Sequence, residues 1–462
     1  MLLLKKPQNF SPFLLLSLII VGSVRLLTWL ASPSGNLQPD SPTYLPTAWL
    51  NFDKVSILGN SQRGWVTPLI YSLLPNNPSR IFFQLLLGFI CWSTILIVSY
   101  LIFKKKKALN FVMAFEVFLA IAPFTIQFET VLIPTSFLIY SLLLFTISTT
   151  YMVYFENYSS KNLLTVILLG WICLSLKSSN VFIVSILLAY ILFISRKKMS
   201  AKKVSIGVLI AVLVMGHGVV VGINNDKFWT NSYSGTAILW HLGDQAPNAS
   251  SFSDYLRSKD VPECVVKNAP FGDIAKEISL INSDCPEGNA YIKSELQSDL
   301  MKFLFQDPLS IIKLVSVGVA VAMTSTSSHY GSSVSILPES LSGLFFGNVS
   351  PDFRVSGEPS QSAAILGSGS GEPLWIAMPS IFYVAFGLFL AFTAIKRRVI
   401  NKTLILVSGL AIFEIFLTVL ILPSEWFRQN SHYLLTLYLM STISIGMNTS
   451  DFFRSSNKEI EQ

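Results

Sequence analysis

The residue pattern predicts an all-α polytopic membrane protein of about ten transmembrane helices, with a large extracytoplasmic loop of mixed helical and irregular structure. Three observations carry that prediction. Of 462 residues, 52% are hydrophobic and only 13% are charged, too apolar a balance for a soluble chain of this length. Apolar runs close to bilayer length recur along the chain. Basic clusters fall between those runs in alternation, as expected when Lys and Arg collect on the inner side of a membrane.

The first apolar run, 12–31, follows Lys5 and Lys6, and the second, about 80–103, ends at Lys104 to Lys107. Keeping those lysines inside places the intervening loop, 32–79, outside. Further runs lie near 109–124, 131–152, 162–177, 179–195 and 204–223, with Glu156 to Lys161 and Arg196 to Lys203 on the inner side. Runs at 374–395, 402–422 and 432–448 finish the chain and leave both termini cytoplasmic. The apolar piece 311–324 is short, contains Lys313, and crossing there would carry Lys396, Arg397 and Arg398 outside, so it reads as interfacial or packed against the bundle. A cleaved signal peptide is the other reading of the first run, but its length suits a full crossing and it contains Arg25.

The chain therefore divides into an N-terminal transmembrane module, 1–223, an extracytoplasmic region, 224–373, and a C-terminal module, 374–462. Charge supports the division: 224–373 holds 16 acidic and 9 basic residues, and the rest holds 10 acidic and 24 basic. Within the outer region 251–310 has helical periodicity, whereas 325–373 is rich in Ser, Gly and Pro and reads as irregular surface. Cys264 and Cys285 share that region, so an oxidising compartment makes them a disulfide pair, two free thiols being the alternative. Cys91 and Cys173 lie in apolar runs as small buried residues. No phosphate-cradling glycine loop, zinc signature or nucleophile elbow is present.

The chemistry-bearing segments sit beside the bilayer. PDSPTY (Pro39 to Tyr44) is followed by RGWVTPLIYSLLP (Arg63 to Pro75), which sets an acid, an arginine and an aromatic amphipathic stretch in one outward loop. Transfer from a lipid phosphate needs cations to hold charge on the leaving group and a carboxylate to deprotonate the incoming hydroxyl. Arg63, Lys177 and Arg428 lie in outward loops or at outward ends of runs, and a guanidinium fork suits phosphate oxygens. Each residue also has a plain structural reading. Asp40 sits in strong turn chemistry, Arg63 suits headgroup snorkelling, Glu129 complements a helix start, and Lys177 and Arg428 suit interfacial anchoring. Arg25, Glu116 and Glu414 fall inside apolar runs, where charge is tolerated only in pairs or facing a cavity, and Arg25 with Glu116 is one such pair.

The layout of Asp40 and Tyr44, Arg63 and Pro68, Glu129 in IQFETVLIPTSFLIY, and the late EWFRQNSHYLL segment resembles the GT-C superfamily of integral membrane glycosyltransferases. The nearest likeness is to its family 39-like branch, which uses polyprenyl-phosphate sugars. The resemblance implies transfer of a hexosyl or pentosyl group from a polyprenyl phosphate or diphosphate to a glycan, lipid or protein acceptor at the outer face of a bacterial inner membrane. It implies Asp40 and Glu129 as catalytic acids and Tyr44, Arg63, Lys177, Arg428 and His432 as substrate-binding residues. Asp40 is followed by Ser41, where the protein O-mannosyltransferase branch has a second acid, so glycan or lipid acceptors are favoured over protein. The sequence requires no cofactor and assigns no metal ligand set, although magnesium or manganese suits carboxylate and phosphate oxygens. Membrane lipids are expected partners and nucleic acid is not. A polysaccharide polymerase or ligase using lipid-linked donors, and a transporter or flippase, are the alternatives.

Overall fold

The computed structural model describes residues 11–35, 37, 66–103, 105–177, 180–196, 254–267, 285–295, 298–299, 302, 306, 319, 372–395, 399–421 and 426–460. Among these the chain is helical, without strands. The elements are α1 (Pro12–Ala31), α2 (Val66–Ser72), α3 (Asn77–Ile102), α4 (Lys106–Ile121), α5 (Pro123–Ile126), α6 (Thr135–Tyr154), α7 (Ser160–Leu176), α8 (Val181–Ser195), α9 (Glu263–Lys267), α10 (Pro286–Ser294), α11 (Glu372–Thr393), α12 (Val399–Ile421) and α13 (Trp426–Ile460).

Local chemistry sets several of these boundaries. Ser11 accepts from the Phe13 amide and Pro12 opens α1, while Asn76 and Ser79 form a reciprocal capping box ahead of α3. Ser159 accepts from the Asn162 amide at the start of α7. Pro123 has no N–H to continue α4, so the helix stops at Ile121 and the chain turns by 51° into α5 and a single 3-10 turn, Gln127–Glu129. Thr125 Oγ1 then donates to the Leu119 carbonyl (2.8 Å), satisfying one acceptor that the break exposes.

Nine of the ten expected apolar runs coincide with helices among the described residues, and the tenth, 204–223, lies outside them. Four helices are long and apolar enough to cross a membrane, five if the bent α4–α5 segment counts as one span. The apolar helices Ser160–Leu176, Phe182–Ser195 and Met378–Thr393 are shorter. Ten crossings are therefore more than these helices establish. Of the piece 311–324, Val319 alone is described, and it packs against the main core.

Which faces are buried identifies the environment. α1 turns Leu14, Ser17, Val21, Arg25 and Thr28 inward at helical spacing and leaves Leu15, Leu16, Ile19, Leu26, Leu27 and Leu30 exposed. α11 likewise exposes Phe382, Phe386, Phe389 and Phe392. Polar groups inside and large apolar side chains outside invert the pattern of a water-soluble protein and match a bundle surrounded by lipid. At the centre, 94% of the crossing stretch of α6 is buried against 28% for α1.

Residues 430–448 of α13 are buried on every side, against α4, α6, α11 and α12. This stretch is rich in Ser, Thr and Asn, the small polar residues that let membrane helices approach closely. The contact with α11 shows the effect: Ser444 Oγ donates to the Gly387 carbonyl (2.6 Å), and a Cβ at Gly387 would lie 2.7 Å from that of Ser441.

Between residues 224 and 373, Cys264 and Cys285 are joined by a disulfide with their Cα atoms 6.4 Å apart. Tyr291 donates to Asp299 (2.9 Å), and burial together with that bond pushes its phenol above the usual tyrosine range.

Candidate functional site

Consecutive helices joined by short turns run in alternate directions, so one end of the bundle collects the ends of α1, α4, α7 and α12 and the starts of α3, α6, α8 and α13. Cross-contacts agree. Tyr190, late in α8, accepts a hydrogen bond from Thr403, early in α12, and Asn401 of α12 meets Asn448, late in α13, both at the opposite end. Glu129, Lys177, Arg428 and His432, which the sequence assigns to the site, all lie on the first-named end. Asp40, Tyr44 and Arg63 lie outside the described residues, but the helices that bound their loop, α1 and α2, meet the same bundle.

Two polar clusters are built there. In the first, Arg25 Nη2 bonds Glu129 Oε1 at 2.7 Å, Tyr140 donates to the same oxygen, and both charged side chains are almost wholly buried (3% and 0% exposed). Arg25 also donates to the Ala120 carbonyl (3.1 Å), where its charge complements the C-terminal end of α4. One arginine on α1 thus holds both sides of the break after α4. Gly88 on α3 makes room: a Cβ there would lie 2.6 Å from Glu129 Oε1 and 2.8 Å from Arg25 Nε. Gln84 donates to the Val131 carbonyl (3.0 Å) and accepts from Ser136, fixing the segment that follows Glu129.

Arg25 therefore pairs with Glu129 and not with Glu116, which instead accepts from Ser99 of α3. The reason is the bend at Pro123, which returns the chain beyond α4 to the level of Arg25. Glu129 Oε2 is buried without a hydrogen-bond partner.

The second cluster joins α7, α8, α12 and α13. Lys177 caps the C-terminus of α7, and its ammonium stands 5.8 Å from the centre of the Tyr433 ring, a cation–π arrangement. The Tyr433 hydroxyl donates to Asn180 Oδ1 (2.8 Å), and Asn180 Nδ2 donates to the Cys173 carbonyl (3.0 Å). Asn180, wholly buried, thereby ties the α7–α8 turn to α13. Glu414 of α12 accepts from the Ile183 amide (3.4 Å) in the first turn of α8, where an acid suits the helix dipole. The His432 ring centre lies 3.9 Å from that of Tyr433, and both its nitrogens are buried without a hydrogen-bond partner among the described residues. Arg428 lies in the first turn of α13.

Lys177 and His432 are thus brought together, and Glu129 belongs to the other group of elements. Tyr140, Asn180, Asn430 and Gly88 were not singled out by the sequence. The signal for Asn180 and Asn430 is an amide at the edge of an apolar run, and Tyr140 carries none beyond being a phenol in a buried helix. Among the described residues no group of three or more His, Cys, Asp or Glu side chains is placed to hold a metal ion. No protein-family model, curated protein or solved structure matches the chain.

Proposed function

We propose that the chain is a GT-C-type membrane glycosyltransferase that moves a sugar from a polyprenyl-phosphate or diphosphate donor to a glycan, lipid or protein acceptor. One observation carries the reading: Lys177, a buried His432 whose ring nitrogens have no hydrogen-bond partner among the described residues, and the first turn of α13 lie at the bundle end where α1 finishes and α3 starts. In this reading Lys177, Arg428 and Arg63 neutralise the lipid phosphate as the bond from the anomeric carbon to the phosphate oxygen breaks. Asp40 takes the proton of the acceptor hydroxyl as its oxygen bonds to that carbon, and direct displacement inverts the centre. Tyr44 and His432 contact the sugar or its phosphate. Glu129, the second acid, is held by Arg25 and Tyr140 near the root of the loop. A magnesium or manganese ion, if used, would add charge at the phosphate, and turnover that survives EDTA would exclude an essential exchangeable ion. Alternating basic clusters support cytoplasmic termini and an extracytoplasmic site, and the family resemblance alone suggests a bacterial inner membrane.

The reading is tested with purified protein in lipid nanodiscs and a panel of radiolabelled polyprenyl-phosphate sugars. One donor is expected to be turned over, and Lys177→Met is expected to raise its KM at least tenfold with a smaller change in kcat, because a charge-assisted contact of about 1.5–3 kcal/mol is lost from ground state and transition state alike. Multi-sugar products would identify a polymerase.

The bent α4–α5 segment beside a buried carboxylate favours a second reading, a transporter, because broken helices build transporter sites. Neither binding nor turnover across the panel, with uptake by proteoliposomes, would establish it.

A further inference from the structure

Asn430 is the buried group that the reading above leaves without a task. Its side chain is wholly buried, yet among the described residues neither Nδ2 nor Oδ1 has a hydrogen-bond partner. A primary amide offers two donors and an acceptor oxygen with two lone pairs, and native interiors almost always complete such groups. An amide left open in a tightly packed helix therefore marks a place where a ligand or ordered water belongs.

Its surroundings identify the ligand chemistry. Asn430 precedes Tyr433 by three residues, so helical spacing sets both on one face with their Cβ atoms about 5–6 Å apart. That face is the one bonded to Asn180 and overlaid by the Lys177 ammonium. Lys177 is half-buried, so the cluster reaches the surface through it. His432, two residues along, leaves the helix on another side. Lys177 answers a negative charge. The Asn430 amide, one helical turn from Tyr433, answers an uncharged group that both donates and accepts, and adjacent hydroxyls on a ring do both.

We propose that Asn430 is a sugar-reading residue, taking a pair of neighbouring hydroxyls of the sugar whose phosphate is held at Lys177. The proposal rests on the donor reading above and adds to it where the sugar lies and which side chain selects it.

The experiment measures binding of two lipids by protein in nanodiscs: the polyprenyl-phosphate sugar that is turned over, and the same polyprenyl phosphate without its sugar. Asn430→Leu and the smaller Asn430→Ala are expected to weaken the sugar-bearing lipid about tenfold and leave the bare phosphate unchanged, whereas Lys177→Met weakens both. Thermal unfolding of the ligand-free variants is expected to occur at or above the wild-type temperature, because an unsatisfied amide has been removed. Equal weakening of both lipids, unchanged binding of both, or a clear drop in unfolding temperature for both variants would overturn the assignment and make Asn430 a packing residue. If the wild type binds neither lipid, the donor reading itself falls and the assignment with it.

Discussion

Replacing Arg25 by methionine is expected to destabilise the folded chain by about 3–5 kcal/mol, because it strands the Glu129 carboxylate in an interior that water does not reach. The loss exceeds what one hydrogen bond would suggest. Arg25 bonds Glu129 and also the Ala120 carbonyl at the break after α4, so its removal releases the bend and the charge together. The double variant Arg25→Met, Glu129→Met is expected to recover most of the loss, since breaking one partner of a buried pair is far worse than replacing both with apolar groups. Glu129→Gln should fall between, because an amide oxygen still accepts from Arg25 and Tyr140. Denaturant or SDS titration of the purified protein in micelles measures all four. Additive losses, with the double variant worse than either single one, would show that the two side chains do not act as a unit.

This pair marks the boundary of what the sequence made legible. The apolar runs located the helices well, with α1 over 12–31 as expected and α3 displaced by three residues at its start, because Ser11, Asn76 and Pro78 are local signals. Alternating direction was legible too, and with it the placing of Lys177, Arg428 and His432 at one end. Partnership was not. Arg25 and Glu129 are 104 residues apart in the chain, and Glu129 reads as loop because it follows the run 109–124. Only the bend at Pro123 brings it back beside Arg25, leaving Glu116 to Ser99. Asn180 and Tyr433 are linked across 253 residues, a contact that no local periodicity encodes. The number of membrane crossings is also less legible than the helices, because α13 carries the Ser, Thr and Asn residues of a bundle centre and so lacks the hydropathy of a lipid-facing span.

The largest expected effect on turnover belongs to Asp40. Asp40→Asn should lower kcat for sugar transfer by about 10²–10⁴, the usual contribution of a positioned general base, while leaving donor affinity within about twofold. The physical basis is tethering. Gly35, at the root of the loop, adopts a left-handed backbone (φ +62°), and a side chain there would collide with Ile81 and meet the Thr130 carbonyl at 2.6 Å. The exit from α1 is therefore locked against α3 and the segment just beyond Glu129. Asp40 is five positions beyond Gly35, a reach of at most about 18 Å. Gly35 itself stands beside Thr130, at the end of the bundle where α4 finishes and α6 starts. On the glycosyltransferase reading proposed above, Asp40 as base acts on the acceptor and not on the lipid phosphate, so its loss should leave donor binding intact and slow only the chemical step. Single-turnover transfer with preloaded donor separates the two. Unchanged turnover would remove Asp40 from the mechanism, and an equal loss of donor binding would make it a residue that shapes the loop.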